Sequence, residues 1–277
     1  MSGGMDLELR KFDVRKIKDD AVIAVIGRRR TGKSIVLKDI LFNKRHIPFG
    51  TVISATEEAN EYYGKFIPKS YIFHEFNTKI IENVLKRQKV LMKNIQSGDP
   101  RYKQVDPRLF LVLDDCLFDD SWTRQNCIRS IFMNGRHYKI MFFVTMQYPL
   151  GIPPALRTNI DYTFIMREPY YSNRKKIYEQ YAGCFPNFQI FCDVMNSLNQ
   201  FECLVIDNNA ETNRIEDQVF WFKATLREKT PFRCGSRQFW KYHEDNYDSN
   251  KDNNKFDMNK FKASRKYGNI NISKVDI

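Results

Sequence analysis

The sequence predicts an α/β fold: a mostly parallel β-sheet covered by helices on both faces, with a late β-hairpin and a disordered C-terminal tail. Three observations carry that expectation. Short runs such as Ala21 to Ile26 (AVIAVI), Leu109 to Leu113 (LFLVL) and Ile140 to Met146 (IMFFVTM) are apolar almost throughout, as strands buried on both faces must be. Segments with apolar residues at helical spacing alternate with them, the order of parallel strands joined by crossover helices. A glycine-containing turn joins the first strand to the first helix.

That turn, Gly27-Arg28-Arg29-Arg30-Thr31-Gly32-Lys33-Ser34, fits the pattern G-x-x-x-x-G-K-[ST]. It opens a helix in which Ile35, Val36, Leu37 and Ile40 recur at helical spacing. Strand, loop and helix come in the order a phosphate-binding loop requires, so the fold expected is a P-loop NTPase of the RecA-like (ASCE) kind. The glycines let backbone N–H groups close around phosphate oxygens, and the first helical turn offers its unpaired donors to the same anion. Lys33 reaches the β- and γ-phosphates of ATP, and the Ser34 hydroxyl ligates Mg2+. Arg28, Arg29 and Arg30 need not all touch nucleotide. The inner face of such a loop is backbone, so these side chains are expected to point outward, to solvent or to an adjoining subunit.

Further along, Thr51 to Ser54 is expected to form a second short strand and Tyr71 to Phe76 a third apolar run. Thr78 to Gln96 is a long helix with Ile80, Ile81, Val84, Leu85 and Leu91 on one side. The strand Leu109 to Leu113 ends in Asp114 and Asp115, the form of a Walker B strand, whose carboxylates emerge where ligands bind in open α/β sheets. Asp114 is assigned to Mg2+, and Asp115 to the base that polarises the attacking water. Helical spacing returns from Trp122 to Met133 and stops at Asn134-Gly135, a C-cap signal. The strand Ile140 to Met146 ends at Gln147, whose amide can donate to a γ-phosphate oxygen and accept from water, so it can sense the phosphate. Beyond two prolines, Asp161 to Met166 is expected as a strand and Ser172 to Tyr181 as a helix. Phe201 to Ile206 and Val219 to Ala224 form the late hairpin at the sheet edge.

The 277 residues carry a net charge of +12, from 45 Lys and Arg against 33 Asp and Glu, a moderate excess that suits a polyanionic partner. Six cysteines lie far apart without a C-x-x-C pair, and four scattered histidines give no zinc pattern, so reduced, buried thiols are expected. No apolar run approaches about 18 residues, so neither signal peptide nor membrane span is expected. Four segments follow: an N-terminal extension (1–20), the P-loop ATPase domain (21–225), a basic connector (226–240) and a polar flexible tail (241–277). The tail is rich in Asn, Asp and Lys and cannot offset its ordering entropy.

GRRRTGKS, LVLDDC, NGRHYKIMFFVTMQYP and PPALRTNIDYTF together resemble the DNA-packaging ATPases of nucleocytoplasmic large DNA viruses, the poxvirus-type branch of the FtsK–HerA superfamily, over roughly Val22 to Ala224. The resemblance implies an oligomeric ring motor that drives double-stranded DNA, without regard to sequence, into a preformed capsid at the cost of ATP. Capsid or portal proteins would be its partners, and the viral factory of the host cytoplasm or the virion its location. It also implies an arginine finger from a neighbouring subunit, matched here by Arg136, with Arg157 the next candidate. The alternatives are a small-molecule P-loop kinase, which has no need of an Asp pair followed by a strand-end Gln, and a non-hydrolysing DNA-binding scaffold, disfavoured by intact Lys33, Ser34 and Asp114. A GTPase is weaker still, because Asn43-Lys44-Arg45-His46 lacks the Asp of a guanine-reading loop.

Overall fold

Residues 7–115, 120–227 and 230–247 are described by the computed structural model. In chain order they form β1 (Arg10–Lys11), β2 (Val22–Ile26), α1 (Lys33–Asn43), β3 (Phe49–Ser54), α2 (Glu57–Asn60), β4 (Ile72–Phe73), α3 (Thr78–Gln96), β5 (Leu109–Asp114) and α4 (Asn126–Asn134). There follow β6 (Ile140–Met146), α5 (Pro154–Arg157), β7 (Tyr162–Met166), α6 (Tyr171–Tyr181), α7 (Phe188–Ser197), β8 (Glu202–Asp207), α8 (Ile215–Gln218), β9 (Val219–Lys223) and α9 (Arg237–Asn246). One sheet takes all nine strands in the order β1-β9-β8-β7-β2-β6-β5-β3-β4. Its pairings are parallel except β7 with β8 and β8 with β9.

The apolar runs are strands because both sheet faces are covered. Along β2, Val22, Ala24 and Ile26 enter one core while Ile23 and Val25 enter the other, the period-two alternation of a pleated strand. β5 does the same with Leu109, Leu111 and Leu113 against Phe110 and Val112. Helix α3 runs over the expected residues, starts where the Asn77 side chain accepts from the Lys79 amide, and buries Ile81, Val84, Leu85 and Leu91. The five described cysteines are free thiols; Cys116 lies outside the described residues. No helix among the described residues is long and apolar enough to cross a membrane.

Several expectations need correction. The third apolar run pairs over Ile72–Phe73 alone. Residues Asp120–Arg124 form a 3-10 turn and the helix begins only at Asn126. Helix α4 does end at Asn134 with Gly135 as its C-cap, as expected, although Gly135 is right-handed (φ −54°) and leads into a further 3-10 turn closed by left-handed Lys139 (φ 56°). Helices α7 and α9 stand where the sequence predicts none. Within the N-terminal extension, β1 runs parallel to β9, Phe12 N donates to Trp221 O (2.8 Å), and Phe12, Val14 and Ile17 are buried. The hairpin β8–β9 therefore lies one strand in from the edge. At the other end, α9 crosses the boundary drawn at Lys241. Ser236 caps it by accepting from the Phe239 amide, Phe239 is fully buried, and the Ser70 hydroxyl meets His243 Nδ1 at 2.7 Å. Of the segment expected as tail, residues 248–277 lie outside the described residues.

Candidate active site

The C-terminal ends of β2, β5, β6 and β7 meet where the loop Gly27 to Ser34 leaves β2 for α1. Gly27 sits between strands: its amide donates to Met146 O (2.9 Å), and a Cβ there would stand 2.5 Å from Met166 Cβ. Gly32 has φ 102°, which favours glycine, and hands the chain to α1. Thr31 Oγ1 closes the turn by donating to Arg28 O (2.7 Å). The Lys33 ammonium is folded beneath the loop, donating to Gly27 O (2.8 Å) and Arg28 O (3.2 Å), with only 8% of the residue exposed. Burial pulls the Lys33 ammonium below the ordinary lysine range, opposed by the charges of Asp115 and Asp114.

The two carboxylates are organised by a residue outside the expected site. Thr145, the polar member of the run IMFFVTM, is 1% exposed and must satisfy its hydroxyl inside the sheet. It does so by donating to Asp114 Oδ1 (2.7 Å) and accepting from the Asp115 amide (3.0 Å). Tyr63, also 1% exposed, donates its hydroxyl to Asp114 Oδ2 (2.7 Å). Burial pushes the Asp114 carboxyl above the ordinary aspartate range, while the Tyr63 and Thr145 hydrogen bonds pull it back. Asp115 takes a left-handed conformation (φ 50°), which an aspartate tolerates better than most residues, and Gln147 Nε2 donates to its Oδ1.

A second unforeseen element braces both motifs. Buried Glu57 accepts the amides of Tyr62 (2.9 Å), Tyr63 (2.8 Å) and Gly64 (2.7 Å), fixing two adjacent tyrosines. Tyr62 donates its hydroxyl to Ser34 O (3.0 Å) while Tyr63 reaches Asp114. One short segment thus ties the start of α1 to the end of β5. The lone Thr in an apolar strand was a signal available in the sequence; the tyrosine pair sits in a loop and gave none.

Lys33, Ser34, Asp114, Asp115 and Gln147 are therefore brought to one end of the sheet. Arg28, Arg29 and Arg30 are exposed, with the Arg28 guanidinium 4.6 Å above the Tyr170 ring. Arg136 is not part of this group. It lies exposed at the start of β6, beside Ala21 and Asp161, one β2 length or about 17 Å from the loop at about 3.3 Å per residue. Arg157 is committed elsewhere: its guanidinium donates to Ile152 O (3.1 Å) and Gln180 O (3.2 Å). The oxygen donors Ser34 and Asp114 suit a hard cation such as Mg2+, which keeps several waters and takes its other ligands from phosphate. Among the described residues no cluster of three His, Cys, Asp or Glu would hold a metal unaided.

The profile of the family described as Poxvirus A32 protein matches residues 9–177. Uncharacterized protein L437 of Acanthamoeba polyphaga mimivirus is 38% identical over 242 residues, covering 87% of this chain and 84% of its own. Uncharacterized protein 075L of Invertebrate iridescent virus 6 is 33% identical over 259 residues, 89% of this chain and 97% of its own. Among solved structures, the genome packaging NTPase B204 of Sulfolobus turreted icosahedral virus 2, in complex with AMP, matches 76% of this chain and all of its own, with TM-score 0.51 and 15% identity. At that identity it shares the fold.

Proposed function

The chain belongs to the Poxvirus A32 protein family, and from that membership and the geometry of its site we propose that it is a genome-packaging ATPase that moves double-stranded DNA into the viral capsid. One observation carries the reading: Thr145 holds Asp114 and Asp115 together at the strand end next to the phosphate loop, with Gln147 hydrogen-bonded to the second carboxylate.

In this reading the loop amides and Lys33 hold the triphosphate, Lys33 exchanging its two carbonyl partners for phosphate oxygens. Ser34 and Asp114 would hold Mg2+, whose chemistry would be to offset the negative charge of the triphosphate. Asp115 accepts the proton of the attacking water. A glutamine amide has two N–H donors, so Gln147 can keep its bond to Asp115 and offer the second hydrogen to the γ-phosphate. Arg136, far from its own loop, serves only across a subunit boundary, which suits a finger supplied by the next member of a ring. The charge of +12 suits a grip on DNA phosphates that is indifferent to sequence. Capsid or portal proteins complete the assembly in the viral factory or virion.

The test is ATP turnover by the purified chain with and without duplex DNA of unrelated sequences. Turnover raised by any duplex is expected; turnover indifferent to DNA but raised by a nucleoside would instead indicate a small-molecule kinase.

A further inference from the structure

We propose that the cavity beside the phosphate loop binds the nucleoside half of ATP, with a purine stacked on Phe201. The inference rests on the reading that the loop holds the triphosphate.

The cavity, about 340 Å³, is lined by Arg28 and Thr31 from the loop, Arg167 from the end of β7, Asn196 from α7, and Gln200 and Phe201 from the turn before β8. Its place relative to the acids decides its occupant. In the order β7-β2-β6-β5, Asp114, Asp115 and Gln147 lie on the β6 and β5 side of the loop, and the cavity lies on the β7 side. A γ-phosphate set against the acids leaves the other end of the nucleotide to emerge toward the cavity.

The lining suits that end. Phe201 has φ 63°, a conformation that bulky residues rarely adopt and that tends to persist where surrounding structure imposes it at functional sites. Its ring stands against the loop: a Cβ on Gly32 would lie 3.3 Å from Phe201 Cδ1. Arg28 is held at the rim by stacking over Tyr170 (4.6 Å), and guanidinium planes stack on aromatic faces. Arg174 Nη1 donates to Asn196 Oδ1 (2.8 Å), which leaves the Asn196 N–H donors for a ligand. Gln200 adds a second amide. The flat Phe201 ring, with guanidinium groups and the Asn196 and Gln200 amides around it, matches the face and polar edge of a purine, whose larger ring system covers the ring better than a pyrimidine does.

Calorimetric titration of ATP, CTP and tripolyphosphate, each with Mg2+, into wild type and Phe201→Ala tests this. ATP should bind wild type more tightly than CTP or tripolyphosphate. Phe201→Ala should weaken ATP about tenfold, as loss of a base–aromatic stack does, and leave tripolyphosphate within about twofold. If Phe201→Ala does not fold, Gln200→Ala, at an exposed position, is titrated in the same way. Equal losses for ATP and tripolyphosphate, or no loss of ATP affinity, would overturn this inference while leaving the phosphate loop intact. Failure of wild type to bind either ligand would overturn the loop reading, and this inference with it.

Discussion

Gln147, at the end of β6, donates a hydrogen bond to Asp115, at the end of β5. The residues proposed as phosphate sensor and base are thus one hydrogen-bonded unit, and Thr145, two residues before Gln147, fixes the backbone of the same aspartate. In the proposed mechanism, a change at the γ-phosphate felt by the amide is passed to the carboxylate through that bond.

Asp115→Asn keeps the side-chain volume but removes the proton acceptor. ATP binding should stay near wild type while kcat falls by about 10² to 10⁴-fold, the usual contribution of a general base. Lys33→Ala should do the reverse and weaken ATP binding about 10- to 100-fold, through lost hydrogen bonds to charged oxygens. Calorimetry beside steady-state turnover separates the two. Hydrolysis near normal in Asp115→Asn would remove that residue from the base role.

Tyr63→Phe bears on pH. Burial raises the Asp114 carboxyl and the Tyr63 hydroxyl opposes that rise. An acid raised in the folded state favours folding at pH values below its unfolded range, and the contribution is lost as pH climbs through the folded value. In its proposed role Asp114 would have to be ionised to hold Mg2+. Removing the donor raises the carboxyl further, so the acid limb of the turnover profile should move to higher pH, with kcat reduced about tenfold near neutrality. Thr145→Val should move the limb the same way. An unmoved limb in both variants would show that Asp114 does not set it.

Mixing Arg136→Ala subunits with wild type should reduce activity more steeply than the mutant fraction, since a finger acting in trans is worth about 10³ to 10⁵ in rate. Strictly linear dilution would mean that Arg136 acts within its own subunit or not at all.

Phe239 is fully buried, packed edge-on against Phe49 and tilted against Tyr71. Phe239→Ala should cost about 3–5 kcal/mol in chemical denaturation. Ending the chain at Tyr247 should leave the unfolding midpoint and basal turnover unchanged.

The central strands were legible because burial on both faces leaves an uninterrupted apolar run, and the loop because its glycines and lysine are required at fixed spacing. Thr145 was readable in principle, as a hydroxyl that had to find a partner inside β6. The brace of Glu57, Tyr62 and Tyr63 was not, because the one-turn helix α2 and the turn after it are too short to leave a periodicity, and the tyrosines bond to distant groups. The same holds for α9, where composition alone suggested a tail: Trp240, His243 and Tyr247 pack locally, while Phe239 and a bond to Ser70 supply the tertiary anchor.

The central claim is that ATP turnover at this site does work on duplex DNA. Affinity for duplex should fall with salt at a log–log slope of about −4 to −5, for about four to six neutralised phosphates. The most direct measurement is displacement of a third strand from a triplex at one end of a long duplex, with and without ATP. The account predicts ATP-dependent displacement by wild type at any duplex sequence, and none by Gln147→Ala despite retained binding of ATP and DNA. A wild type that hydrolyses ATP and binds duplex yet never displaces the third strand would contradict it.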